Sequence, residues 1–226
     1  MPENSDFYPQ VMLRYATQPP SSGEQTEFIA TLLRVFEEKL FNAREFDPFS
    51  LELIVDYIQR THIYYLEKKL PEIEQSILLL SGHYGSQHPI LIALQNFFRL
   101  YVQDLSEHIQ AEETYLLPYI EQLREAGHTP ADFSRFLIAR RDYSIDRFLN
   151  DHHDTEDELK NIRQTIRLYA PPQDNESLYR ILLMQLQVFE QDLCVHAHIE
   201  EEVLIPKAQQ LEKEFNNQLI YLSPLN

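Results

Sequence analysis

The chain has 226 residues, enough to bury a hydrophobic core without cross-links. Its formal net charge of -17, with no basic patch, excludes the phosphate backbone of nucleic acids as an expected partner. No apolar run approaches the roughly 20 residues that cross a bilayer, so we expect no membrane insertion. The single cysteine, Cys194, and a start without a signal-peptide pattern favour a cytoplasmic protein.

Helix-forming residues dominate the chain, which has only four glycines and no tryptophan. We predict an all-α fold, an antiparallel (up-down) four-helix bundle with an extra N-terminal helix and arm. Prolines and serines before Glu24 predict the extended arm, and apolar residues recur at helical spacing from Thr26 to about Glu45. The predicted division is therefore an arm with a short packing helix, residues 1–45, and a bundle, residues 46–226.

Capping and breaking signals set the limits of the four bundle helices. The predicted ranges are about 51–82, 89–126, 131–168 and 176–214. Pro71 lies inside the first helix and should kink or interrupt it. Helices of this length joined by short loops favour an antiparallel bundle. The N-terminal helix could cap the bundle or form a homodimer, so the oligomeric state stays open.

One motif occurs on both the second and the fourth bundle helix. The pattern D-L-x-x-H-x-x-x-E-E-x-x-L-(L/I)-P spans residues 104–118 and again 192–206. Residues four apart on a helix differ by about 40° and about 6 Å, so each histidine and the first glutamate after it can point inward together. Imidazole and carboxylate are ligands of two-metal sites, because a carboxylate can bridge two ions. Recurrence on alternate helices disfavours the alternative, surface polar contacts.

Other polar residues near the motif are expected outside the site. Glu113 and Glu201 follow the candidate ligands and are rotated by about a further 100°, so they should face solvent or a neighbouring helix. His198 and Glu202 also have the four-residue spacing, but they have no counterpart in the first copy. We expect this second pair to be exposed.

The first and third helices should supply the remaining ligands. His62 and His83 would lie about 30 Å apart along a continuous helix, too far for one site. A break at Pro71, or a turn just before His83, would have to bring His83 back. On the third helix His153 is the candidate and His152 is its competitor, and spacing alone does not separate them.

The order of these histidines, with the strings Thr61-His62 and Gly82-His83-Tyr84-Gly85, resembles the hemerythrin-like (HHE) cation-binding domain. The resemblance covers about residues 50–210 and is closest to the branch of bacterial proteins that repair iron centres. It implies a di-iron centre with seven protein ligands in this chain: His62, His83, His108, Glu112, His153, His196 and Glu200.

The resemblance also bears on the two uncertain helices. It implies that His83 is a ligand despite the distance along a straight helix, and Asp154 matches the His-Asp pattern that favours His153 over His152. The chain departs from the repair branch at Ile63, where relatives often carry a second histidine. Its N-terminal arm also lacks the cysteine pair of those relatives, so repair chemistry that needs those thiols is not implied.

Two iron ions with oxo or carboxylate bridges would leave an open coordination position. We therefore predict a non-heme di-iron protein that binds oxygen or nitric oxide, acts in stress response or iron-sulfur cluster repair, and has iron-sulfur proteins as partners. One alternative is an oxygen- or peroxide-activating di-iron enzyme, and another is a metal-free helical scaffold for protein partners. Zinc, manganese or nickel could substitute for iron, because they accept the same donors.

Overall fold

The computed structural model describes residues 22–84, 89–126, 129–146 and 176–222, together with Arg14 and Phe148. In these residues the regular structure is entirely helical, which confirms the predicted all-α class. Helix α1 (Gly23–Glu38) and a short 3-10 helix (Ala43–Phe46) precede helices α2 to α5, which correspond to the four predicted bundle helices. None of the described helices is long and apolar enough to span a membrane.

Three of the bundle helices contain a five-residue π-helical turn between two α-helical segments. Helix α2 consists of Leu51–Tyr64, the π turn Tyr65–Lys69, and Leu70–Tyr84. Helix α3 consists of Pro89–Ala111, the π turn Glu112–Leu116, and Leu117–Glu125. Helix α5 consists of Glu176–Ile199, the π turn Glu200–Leu204, and Ile205–Leu222. Helix α4 spans Pro130–Asp142.

Each of these π turns begins six residues before a proline, namely Pro71, Pro118 or Pro206. Proline lacks the backbone N–H that an α-helix uses, and its ring crowds the preceding turn. A π turn is a local widening of the helix, and here it relieves that crowding. The regular α-helix is therefore interrupted by a π turn before Pro71, but the chain does not leave the helix, and α2 remains helical from residue 51 to residue 84.

The predicted third helix is interrupted at residues 143 and 144, and helical structure resumes at Ile145. Tyr143 has extended backbone angles (φ −145°, ψ 150°), which end the helix after Asp142. The Tyr143 ring stacks on the Tyr115 ring, with the centroids 6.2 Å apart. It also meets the Tyr119 ring edge-on, with the centroids 5.2 Å apart. Packing against α3 therefore overrides the local helical preference. The later part of the predicted third helix lies outside the described residues.

Two hydrophobic clusters fill the bundle along its length. One joins α1 and α4 to the first segment of α2 and the last segments of α3 and α5. The other joins the second segment of α2 to the first segments of α3 and α5. This sharing means that α2 runs antiparallel to both α3 and α5. Because α1 shares the first cluster with the bundle helices, the division at residue 45 stays a prediction.

The packing of α1 can be tested at Phe28, which is fully buried and has edge-on contacts with Phe46, Phe49 and Tyr57 at 5.1 to 5.8 Å. We expect Phe28→Ala to lower the free energy of unfolding in urea by about 3–5 kcal/mol, because it leaves a cavity. The control Leu40→Ala removes a side chain that is 71% exposed and should change it by less than about 0.5 kcal/mol. Equal, small effects would contradict this packing.

Candidate metal centre

Histidine and glutamate side chains from α2, α3 and α5 meet where the two hydrophobic clusters join. His62 on α2, Glu112 on α3, and His196 and Glu200 on α5 are between 1% and 6% exposed. The His108 side chain, also on α3, is 19% exposed and lies beside Glu112. Burying this many ionisable groups is unfavourable unless they are paired or bind a metal.

Glu112 is the central residue of this cluster. Its Oε2 lies 2.9 Å from Nε2 of His62, and its Oε1 lies 2.6 Å from Nε2 of His108. Glu112 also belongs to two groups of ligand atoms, each with its atoms within 4.8 Å of one another. These two groups are His62, Glu112 and His196, and His108, Glu112 and Glu200. A carboxylate that presents one oxygen to each group has the arrangement of a bridging ligand.

The π turns place the two buried carboxylates. Glu112 and Glu200 are each the first residue of a π turn, and π turns inside α-helices are frequent at functional sites. In α2 the same position holds Tyr65, which is fully buried and whose ring centroid lies 5.7 Å from that of His196. The site is therefore built by three similar helices, of which one contributes an aromatic ring in place of a carboxylate.

The donor atoms fit a bound cation. The short contacts of Glu112 with His62 and His108 are ion-pair contacts. Both Glu112 oxygens, Oε1 of Glu200 and Nε2 of His62 are buried without a hydrogen-bond partner among the described residues. Proteins rarely leave so many buried polar atoms unsatisfied. A cation would satisfy all of them, because carboxylate oxygens and imidazole nitrogens are metal ligands.

The two buried carboxylates have opposite pKa shifts. Burial alone would raise the pKa of Glu112, but contacts with His108 and His62 outweigh it and hold the pKa below its ordinary value. Burial raises the pKa of Glu200 well above its ordinary value, and the negative charge of Glu112 raises it further. Glu112 is therefore the charged carboxylate, and a cation that binds here must displace a proton from Glu200.

The two most buried imidazoles also differ. Burial lowers the pKa of His196 well below its ordinary value. Burial acts in the same direction on His62, but contacts with Glu112 and Glu113 outweigh it and raise the pKa of His62. His196 therefore already has the neutral form that a metal ligand needs, whereas the contacts with Glu112 and Glu113 favour the protonated form of His62.

Glu113 fixes the orientation of His62. The Nδ1–H of His62 donates to Oε1 of Glu113 over 2.7 Å, and Nε2 of Gln59 donates to Oε2 of Glu113 over 3.3 Å. This contact turns Nε2 of His62 toward Glu112, as the supporting carboxylate of a metal-binding histidine does. Of the two orientations expected for Glu113, solvent or a neighbouring helix, the second is confirmed. The support of His62 by Glu113 was not predicted from the sequence, although the second glutamate of the repeated motif could have indicated it.

The structure does not bring His83 to the other five residues. His83 is exposed at the end of α2, where it lines a surface pocket of about 470 Å³ with Leu79 and Leu178. Because α2 is continuous, His83 lies about 30 Å along the helix from His62. Its role as a ligand stays a prediction. His152 and His153 lie outside the described residues.

His198 and Glu202 lie outside the cluster, as expected. Their side chains are 40% and 52% exposed, with Nε2 of His198 at 3.8 Å from Oε1 of Glu202. The His198 ring stacks on Phe41, with the ring centroids 5.0 Å apart. The same four-residue spacing on α5 therefore yields one buried pair and one surface pair.

Comparison with known proteins agrees with this geometry. The model of the hemerythrin HHE cation binding domain matches residues 65–208. The iron-sulfur cluster repair protein ScdA of Staphylococcus epidermidis is 25% identical over 158 residues, which are 70% of this chain and 66% of that protein. The protein of the same name from Staphylococcus haemolyticus is 24% identical over 154 residues, 68% of this chain and 65% of that protein. The chain thus spans just under two thirds of the length of these relatives.

The family match includes the motif on α3 and its second copy on α5. It therefore covers His108 and Glu112 on α3, and His196 and Glu200 on α5. The match extends over more than half of the chain, and the resemblance predicted from the histidine order is confirmed. The chain belongs to the hemerythrin HHE cation-binding domain family.

Proposed function

We propose that the chain is a non-heme di-iron protein, which binds two iron ions between its bundle helices. The observation that carries this proposal is the position of Glu112, whose two oxygens face imidazoles from two different helices at 2.9 and 2.6 Å. In this proposal one ion uses His62, His196 and Glu112, and the other uses His108, Glu112 and Glu200, following the two groups of donor atoms.

The remaining proposed ligands come from the family resemblance. They are His83, and His153 with His152 as its competitor on the third helix. Zinc, manganese and nickel accept the same donors, so the geometry supports iron through the mixed imidazole and carboxylate set without requiring it. Iron bound in this set would supply an open coordination position and reversible one-electron chemistry.

The burial of the site supports a small ligand, oxygen or nitric oxide. His62, Glu112, His196 and Glu200 are enclosed by the two hydrophobic clusters, and His108 is the most exposed of the gathered donors. The pocket of about 470 Å³ lies at the far end of α2, beside His83. A diatomic gas needs little space at the metals, whereas an enzyme for a larger substrate would need a cavity beside them.

We extend the proposal to stress response and iron-sulfur cluster repair in the cytoplasm, with iron-sulfur proteins as partners. The relatives named iron-sulfur cluster repair protein support this extension, since they match 68–70% of this chain. The raised pKa of Glu200 and of His62 offers a physical route for iron release. Protons compete with the cation for these two side chains, so acidification favours loss of the metal.

Metal loading tests the site directly. We expect protein loaded anaerobically with Fe(II) to retain about two irons per chain, consistent with one bridging carboxylate between two donor groups. His196→Ala should lose at least half of that iron. The matched control is His198→Ala, which removes an exposed histidine from the same helix with the same glutamate spacing, and it should retain wild-type iron. No stoichiometric metal in the wild type would favour the scaffold alternative.

The supporting role of Glu113 predicts a graded effect. Glu113→Ala leaves the ligands of the proposed site in place but frees Nδ1 of His62, so metal affinity should fall about 10- to 100-fold. Competition with a chromophoric chelator measures this change. Glu107→Ala removes an exposed carboxylate from the same helix and should leave the affinity unchanged. An unaffected Glu113→Ala variant would contradict the orienting role.

Repair and catalysis can be separated by following where the iron goes. We expect the reduced, iron-loaded protein to restore the visible absorption of an iron-sulfur protein whose cluster has lost one iron, because the proposed ions are exchangeable. Glu200→Ala should fail in this assay, and free Fe(II) held by a chelator provides the background rate. Multiple turnovers of oxygen or peroxide, without iron transfer, would instead support the enzyme alternative.

A further inference from the structure

Arg14, the one residue described before residue 22, lies inside the bundle with a side chain that is 0% exposed. Its guanidinium forms an ion pair with Asp192, and its Nη1 donates to the hydroxyl of Tyr57 over 3.1 Å. The guanidinium carbon also lies 5.5, 5.2 and 5.8 Å from the ring centroids of Tyr57, Tyr64 and Tyr65. The arginine is thus held by one carboxylate, one hydroxyl and three aromatic rings.

Stability alone gives a weak reason for this ion pair. Taking two charges out of water has a large desolvation cost, and replacing a buried pair with apolar residues is often neutral or stabilising. Asp192 is 1% exposed, and Nε of Arg14 and Oδ1 of Asp192 are both buried without a hydrogen-bond partner in the described part of the chain. The residues that contact Arg14 and Asp192 therefore point to a functional role for the pair.

The first connection from Arg14 to the metal centre runs through Tyr65. The Tyr65 ring contacts the guanidinium on one side, and it meets the His196 ring edge-on, with centroids 5.7 Å apart at 69°. The Tyr65 hydroxyl is buried and makes no hydrogen bond to any described residue. The position of this ring therefore depends on packing, and Arg14 is part of that packing.

The second connection runs along α5 from Asp192. Asp192 precedes His196 by one helical turn, so the two buried side chains share a face of the helix. Nδ1 of His196 and Oδ1 of Asp192 are both buried, and neither has a hydrogen-bond partner within the described residues. Nε2 of His196 meanwhile faces Oε2 of Glu200 at 3.7 Å. A histidine that binds a metal through one nitrogen commonly donates from the other to a carboxylate.

We propose that Arg14 and Asp192 are positioning residues for His196, so that insertion of Arg14 and metal binding stabilise each other. Arg14 holds the Asp192 carboxylate and the Tyr65 ring in place. When a cation takes Nε2 of His196, the Nδ1–H of His196 would donate to the Asp192 carboxylate, a hydrogen bond that is not formed in this structure. The inference rests on the proposed two-metal function. Because coupling between two binding events is reciprocal, metal must also hold Arg14 in the bundle.

A double-mutant comparison separates positioning from stability. Arg14→Met and Asp192→Asn each leave one partner of a buried ion pair alone and should both destabilise the protein, whereas the double variant should regain much of the lost stability. Its metal affinity should nevertheless remain about tenfold or more below wild type, because His196 still lacks its carboxylate. Asp104→Asn, the exposed equivalent in the first copy of the motif, is the matched control and should bind metal normally.

Proteolysis measures the reciprocal effect in the unaltered chain. Trypsin can cleave after Arg14 only once this buried side chain has left the bundle, so metal loading should slow that cleavage. Cleavage after Lys39, an exposed residue at the end of α1, provides the control and should keep its rate. Wild-type metal affinity in the double variant, or cleavage after Arg14 that ignores metal, would overturn the inference and leave the two-metal function standing. A wild type that binds no metal would overturn that function itself.

Discussion

A buried, negatively charged Glu112 is the constraint on which the rest of the site depends. Removing a carboxylate from water costs several kcal/mol unless neighbours compensate for it. His62 and His108 compensate from either side, and their contacts hold the pKa of Glu112 down although burial pushes it up. The two hydrophobic clusters exclude water around this carboxylate, which strengthens each of these contacts. The polar contacts of Glu112 therefore depend on the apolar core that surrounds them.

The backbones of α2, α3 and α5 each depart from the regular α-helix at the centre. The π turns start at Glu112, at Glu200 and at Tyr65, and each is followed six residues later by a proline. Hydrophobic periodicity predicts an α-helix through all three segments. A π turn adds one residue to a helical turn, which shifts the spacing of the apolar residues too little to be recognised in the sequence. The recurring Leu-Pro or Ile-Pro was a usable signal. The widening also explains why Pro71 is tolerated inside a long helix.

Local signals predicted much of the fold and of the site. Ser50 and Thr129 cap the starts of α2 and α4, and the repeated motif contains His108, His196 and Glu200, which lie around Glu112 together with His62. Features set by distant contacts were not predictable in this way. Tyr143 ends α4 through packing with rings on α3, and Arg14 pairs with a carboxylate 178 residues away. No periodic pattern in the arm distinguishes Arg14 from its neighbours.

Tyr65 begins the π turn of α2, whereas a glutamate begins the π turns of α3 and α5, and the two groups of donors differ in composition. Among the described donors, one group has two imidazoles and a carboxylate, and the other has one imidazole and two carboxylates. Nitrogen-rich sites suit Fe(II) and zinc, whereas oxygen-rich sites suit harder ions such as manganese. Similar helices thus produce two unequal groups of donors, and a cation held by the first group would meet more nitrogen than one held by the second.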